Sequence, residues 1–151
     1  METSATENTQ IDLSELRSHL AVTFNNIGQC YVNLRQVKQA IPFFENSKYL
    51  IDQRDVTDNA STRIYVVVLN NIGLTFFEMS KYNDALDHFF KAIQVLSKGK
   101  VSELSESAML QTEDIEYLMS EVGAGEELGV TLNNIGTVLY MKSKFDLAEA
   151  Y

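Results

Sequence analysis

Asparagine pairs stand at Asn25-Asn26, Asn70-Asn71 and Asn133-Asn134, and each is followed by Ile-Gly, so that the chain writes "NNIG" three times. A primary amide carries donors and an acceptor on one planar group, so a row of them can hold the N–H and C=O groups of an extended peptide without reading its sequence. The same amide, half buried, is equally well satisfied by a neighbouring structural unit and then fixes stacking. Both roles are open for the pair, with ligand contact favoured for the second Asn of each. Other reactive groups are sparse. His19 and His88, the two histidines, fall on polar helix faces and read as solvated surface, because a metal site needs further ligands at helical spacing. Glu78, Asp84 and Asp87 could meet a cationic substrate, yet acidic side chains on such helices usually form a wet face. The chain has no G-x-S-x-G, no phosphate-cradling glycine loop and no H-E-x-x-H. These residues point away from an enzyme and imply no cofactor and no metal.

Composition narrows the partners. With 21 acidic against 12 basic side chains the net charge is −9, and no two Lys or Arg residues are adjacent, which disfavours nucleic acid and anionic membrane surfaces. Neutral or basic protein partners are expected instead. Cys30 is the only cysteine, so an intrachain disulfide is impossible. It reads as a small core residue in a reducing compartment, the cytoplasm or the nucleus. The opening "METSATENTQ" lacks a secretory or myristoylation pattern, and residues 1–10 are expected to be a disordered tail. The longest apolar run, Ile64–Leu69, is far too short to span a bilayer.

The elements that position the asparagines follow from aligning the chain on Gly28, Gly73 and Gly136. Phe24, Leu69 and Leu132 then fall four residues before the glycine, Ile27, Ile72 and Ile135 one before, and Tyr31, Phe76 and Leu139 three after. These offsets form one stripe of an α-helix. A glycine inside a helix costs about 1 kcal/mol relative to Ala, so its repetition implies a recurring close backbone approach. After the short polar turns "LRQ", "MSK" and "KSK" a second helical stripe begins. It comprises Val37, Ala40, Ile41, Phe44 and Ile51 in the first copy, Tyr82, Ala85, Leu86, Phe89, Ile93 and Leu96 in the second, and Phe145 and Ala148 in the third. The β-branched run Ile64–Val68 would suit a strand, but its register places it in a helix. Pro42 lies inside the second helix of the first copy, where a kink is expected.

Helix, short turn, helix, with a small residue in the first helix facing an Ala in the second, resembles the tetratricopeptide repeat, whose consensus runs W-x2-L-G-x2-Y and then A-x3-F. From Tyr65 to Leu96 the family positions read Leu69, Ile72-Gly73, Phe76, Ala85, Phe89 and Ala92. In the first copy they read Phe24, Ile27-Gly28, Tyr31, Ala40, Phe44 and Ser47; in the third, Leu132, Ile135-Gly136, Leu139 and Ala148. The resemblance implies an all-α, right-handed solenoid of helix-turn-helix repeats. Its units run about 11–53 and 62–98, with an acidic insertion at 99–127 and an incomplete third unit at 128–151. The glycines are 45 and 63 residues apart, against a family unit of about 34. Lengthened units with an Asn pair look like those of kinesin light chains and related cargo adaptors.

In this resemblance the first helices line an extended concave face. Carried over, the groove would comprise Asn25, Asn26, Gln29, Val32 and Asn33; Asn70, Asn71, Leu74, Phe77 and Glu78; and Asn133, Asn134, Thr137, Tyr140 and Met141. The amides would hold a peptide backbone while Phe77 and Tyr140 select side chains. Lys and Arg are absent from these positions, so a clamp on a C-terminal carboxylate is not reproduced. The function implied is a non-catalytic adaptor or scaffold; the alternative is a structural subunit of a larger assembly or homo-oligomer. Its contacts would use the C-terminal edge, where Phe145, Leu147 and Tyr151 lack a covering helix. Within the insertion, Thr112 can cap a helix with an apolar face of Ile115, Leu118, Met119 and Val122. That helix either packs over its own solenoid or docks at the groove as a pseudo-ligand.

Overall fold

The computed structural model describes residues 13–51, 59–99, 116, 120 and 125–149, the side chains of 14 and 144–149 excepted. Its helices are α1 (Leu13–Asn33), α2 (Val37–Leu50), α3 (Asn59–Glu78), α4 (Tyr82–Leu96) and α5 (Glu126–Glu149). Glu116 and Ser120 are also helical, and no strand occurs among the described residues. The β-branched run is therefore helical: Tyr65, Val66 and Val68 are buried on α3, where tertiary packing outweighs their strand preference. α1 pairs with α2 and α3 with α4; α1 and α2 then pack on α3, and α3 and α4 pack on α5. The architecture is a stack of helical hairpins, the all-α repeat solenoid expected.

Each hairpin turn is made the same way. The Gln36 N–H donates to the Tyr31 carbonyl and the Arg35 N–H to Val32, with Arg35 at φ 60°. In the second hairpin Lys81 donates to Phe76 and Ser80 to Phe77, with Ser80 at φ 59°. This is the Schellman arrangement, which satisfies carbonyls at a helix C-terminus by placing one residue in the left-handed region. A side chain there costs roughly 1–2 kcal/mol, offset by the second helix folding back onto the first.

That return is anchored at the glycines. A Cβ built at Gly28 would lie 2.6 Å from the Phe44 ring, and one at Gly73 would lie 2.5 Å from Phe89. Each glycine thus admits an aromatic ring, where the sequence suggested a close backbone approach and an Ala opposite. Phe44 and Phe89 are fully buried. Ala40 and Ala85, one turn earlier, are buried as well. One core joins Ala21, Phe44, Tyr65, Val68, Leu69 and Ile72, and a second joins Leu86, Phe89, Ile93, Leu128, Ile135 and Val138. Ser47, at the family's second small position, is fully buried and donates from Oγ to the Ala21 carbonyl at 2.7 Å, tying α2 to α1.

α2 runs from Val37 to Leu50 with Pro42 inside it; the proline forgoes one backbone hydrogen bond, and Phe44 and Ser47 beyond it are buried. Several expectations are corrected. The "KSK" stretch forms no turn: α5 continues through Lys142–Lys144 to Glu149, and the Ser143 hydroxyl donates to the Tyr140 carbonyl inside it. Ser143 is the register equivalent of Arg35 and Ser80, but nothing among the described residues lies within 4 Å of a Cβ at Gly136. Cys30 is exposed, not a core residue. The tail at 1–10 and the Ile115, Leu118, Met119 and Val122 face lie outside the described residues.

Candidate functional site

The three asparagine pairs come together across the stack by one rule. The first Asn of a unit accepts from the second Asn of the next: Asn71 Nδ2 donates to Asn25 Oδ1 at 2.8 Å, and Asn134 Nδ2 donates to Asn70 Oδ1 at 3.1 Å. The one-residue offset is the stagger between successive first helices. At the second joint the amide is more deeply used. Asn70 Nδ2 also donates to the Val66 carbonyl at 3.1 Å and to Thr131 Oγ1 at 2.8 Å, and Thr131 passes its own proton to the Glu127 carbonyl at 2.7 Å. Asn70 is only 5% exposed and Asn134 8%. Their amides therefore fix stacking between α3 and α5, although the second Asn of each pair was favoured as a ligand contact. A buried amide unpaired at this depth costs about 1–3 kcal/mol, so the chain's own partners claim it first.

The rule leaves loose ends at the two ends of the stack. Among the described residues no unit stands before Asn26 to receive its donor or after Asn133 to supply one; both side chains are exposed, and neither has a partner among those residues. On α1, Gln29 Nε2 donates to Asn33 Oδ1 at 3.3 Å. On α3, Leu74 and Glu78 are exposed while Phe77 is half-buried, its ring 5.9 Å from that of Tyr82. On α5, Thr137, Tyr140 and Met141 are exposed, and the Thr137 hydroxyl donates to the Asn133 carbonyl at 2.9 Å. Asn25, Asn71 and Val32 are half-buried. The side chains of Phe145 and Leu147, and all of Tyr151, lie outside the described residues.

Sequence reasoning missed Thr131, Arg63 and Glu127. Thr131 had a signal: it sits at an offset where α3 places the buried Val68, so a polar side chain there needed a partner inside the stack. Arg63 Nε donates to Glu127 Oε1 at 2.6 Å, a second tie between α3 and α5. Hydrogen bonding from its own backbone lowers the Glu127 carboxyl below its ordinary value; partial burial opposes this and Arg63 adds to it. His88 is half-buried where solvated surface was expected: its ring lies 5.3 Å from Phe76, and Nδ1–H donates to the Asp84 carbonyl at 2.8 Å. Among the described residues no three His, Cys, Asp or Glu side chains gather as metal ligands, and no helix is long and apolar enough to cross a membrane.

Residues 66–98 match the family model of the tetratricopeptide repeat. That stretch is a tetratricopeptide repeat. It covers α3 from Val66 onward, the Schellman turn and α4, and the α1–α2 hairpin repeats its geometry at the glycine, the ring and the turn. No curated protein and no solved structure compared with the chain matches it. The likeness to kinesin light chains thus rests on unit length and the asparagine pair alone.

Proposed function

We propose that this protein is a non-catalytic protein–protein interaction adaptor or scaffold that holds a peptide or helix along the face shared by α1, α3 and α5. The observation that carries this reading is the set of apolar side chains left in solvent at the groove positions of α3 and α5. Leu74, Tyr140 and Met141 lie one, four and five residues past their glycines and are exposed, beside Asn26, Gln29, Asn33, Glu78, Asn133 and Thr137. Amide-rich surface with isolated apolar anchors suits backbone hydrogen bonding with side-chain selection. The net charge of −9 and Glu78 on the face select neutral or basic partners over acidic ones. A cytoplasmic location, the nucleus included, fits the lone free thiol.

A peptide-display selection on wild-type protein, repeated on Leu74→Glu/Tyr140→Glu, tests the reading. Neither substitution touches the asparagine ladder, so helicity is unchanged, and the peptides enriched on wild type are lost on the variant. Equal enrichment on both proteins retires the groove.

The second reading, a structural subunit built in through its C-terminal edge, is favoured by Gly136. Phe44 and Phe89 fill the equivalent slots at Gly28 and Gly73, whereas at Gly136 the slot is open among the described residues. A partner helix presenting an aromatic ring would fit it.

A further inference from the structure

The register that buries α3 and α5 leaves the same face of α1 in water. At the positions eight, five and one before the glycine and two after it, α3 places Tyr65, Val68, Ile72 and Thr75, all buried. On α5 the same positions are Leu128, Thr131, Ile135 and Val138, again all buried. On α1 they are Leu20, Thr23, Ile27 and Cys30, all exposed. In the two later units this face is covered by the preceding hairpin; α1 has none among the described residues.

The stripe on α1 is also longer than that joint requires. Leu13, Leu16, Leu20, Thr23, Ile27, Cys30 and Leu34 follow one another at alternating spacings of three and four along the whole helix. Leu13 is 70% and Leu34 66% exposed, so its ends are the most open. The equivalents of Leu16 and Leu34 on α3 are Ser61 and Met79, and that of Leu34 on α5 is Lys142, so the internal joints do not continue the pattern. A 3–4 alternation with Leu or Ile at every first position is the seam by which two helices interlock side chain to side chain. A single stripe of this kind is complementary in length and period to itself, which makes its natural occupant the same stripe on a second copy. Five Leu and Ile side chains from each copy reach roughly the 1,000 Å² that a specific interface needs. Residues 1–12 offer only Met1, Ala5 and Ile11, and 52–58 only Val56, too little to cover it; the Ile115, Leu118, Met119 and Val122 stripe of the insertion is the competing occupant within the chain, and the Cys30 readout below separates the two.

We propose that the protein pairs with a second copy of itself through the α1 seam, a symmetric interface at the end of the stack opposite α5. It is independent of the peptide-binding reading, which uses a different face of the first helices.

Sedimentation or light scattering of the full chain across a concentration series tests this, with iodoacetamide modification of Cys30 followed in parallel. The mass rises to twice the 17.1 kDa of one chain, and Cys30, the only thiol and on the seam, is modified severalfold more slowly as it does. Leu20→Glu/Ile27→Glu, at positions exposed in a single chain, keeps the helicity, stays monomeric and exposes Cys30 at all concentrations. Val67→Glu, exposed on α3 away from the seam, still dimerises. A wild-type protein that remains monomeric overturns the proposal. So does a dimer that survives Leu20→Glu/Ile27→Glu, which places the contact elsewhere. A monomer whose Cys30 is protected does so too, because a segment of the chain itself then covers the stripe.

Discussion

At the scale of single residues, the asparagine pair divides one chemical group between two tasks by its position in the stack. Inside the stack the amide of one unit donates to the amide before it; at the two ends Asn26 and Asn133 are exposed, with no side-chain partner among the described residues. Removing Asn70 strands the Asn134 donor and takes from Thr131 its incoming hydrogen bond, in a joint where all three side chains are buried. Asn70→Ala is therefore expected to lower unfolding stability by about 1–3 kcal/mol, whereas Asn133→Ala, at an exposed position, stays within about 0.5 kcal/mol of wild type. Urea denaturation midpoints decide it. Equal effects from the two substitutions mean that the ladder has no energetic role. The motif was legible as a recurrence, but the direction of the amides was not, because one residue of stagger between helices decides whether an Asn faces a neighbour or solvent.

At the scale of elements, a helix in this fold ends where a second helix can return onto it. Repeats one and two were readable because their apolar spacings, glycines and aromatic residues all agree, and the structure builds both hairpins at those positions. The third was misread for a physical reason. "KSK" resembles "MSK" in letters, but the turn at Ser80 exists because Phe89 seats on Gly73, and no ring seats on Gly136 among the described residues. Cys30 was misassigned likewise: its offset is a core position only where a preceding hairpin covers the face. The glycines make the packing difference measurable. Gly73→Ala drives a Cβ to 2.5 Å from a fully buried Phe89 ring, and overpacking of this kind costs roughly 1–3 kcal/mol, more than the approximately 1 kcal/mol gained in helix propensity. Gly136→Ala meets nothing among the described residues and keeps the propensity gain, up to about 1 kcal/mol. Thermal or chemical unfolding is expected to move in opposite directions for the two variants; a shared direction shows that the glycines are not there for the rings.

At the scale of the whole molecule, a stack whose units touch only their neighbours is held together joint by joint, and its ends open first. The α3–α5 joint carries a titratable tie. The Glu127 carboxyl is lowered in the folded protein, by its own backbone first and by Arg63 in addition. Its contribution to stability is thus fully present above the ordinary carboxylate value near 4.3 and disappears as pH falls through the lowered one. Arg63 is largely exposed, which keeps the ion pair's own share small, within about 1 kcal/mol. Acidification from neutral pH should therefore loosen α5 from the stack before the α1–α2 and α3–α4 hairpins separate. Amide hydrogen exchange, converted to opening free energies at pH 7 and pH 3.5, should show protection falling in residues 126–143 while the buried Val66–Ile72 stretch of α3 holds. In Glu127→Gln, which keeps an acceptor but cannot ionise, α5 opens more readily at pH 7 and changes less between the two pH values. An unaltered acid response in that variant assigns the pH dependence to carboxylates elsewhere on this chain of 21 acidic residues, and leaves α5 held by its buried Leu128, Ile135 and Val138 together with the Asn70–Thr131–Asn134 network.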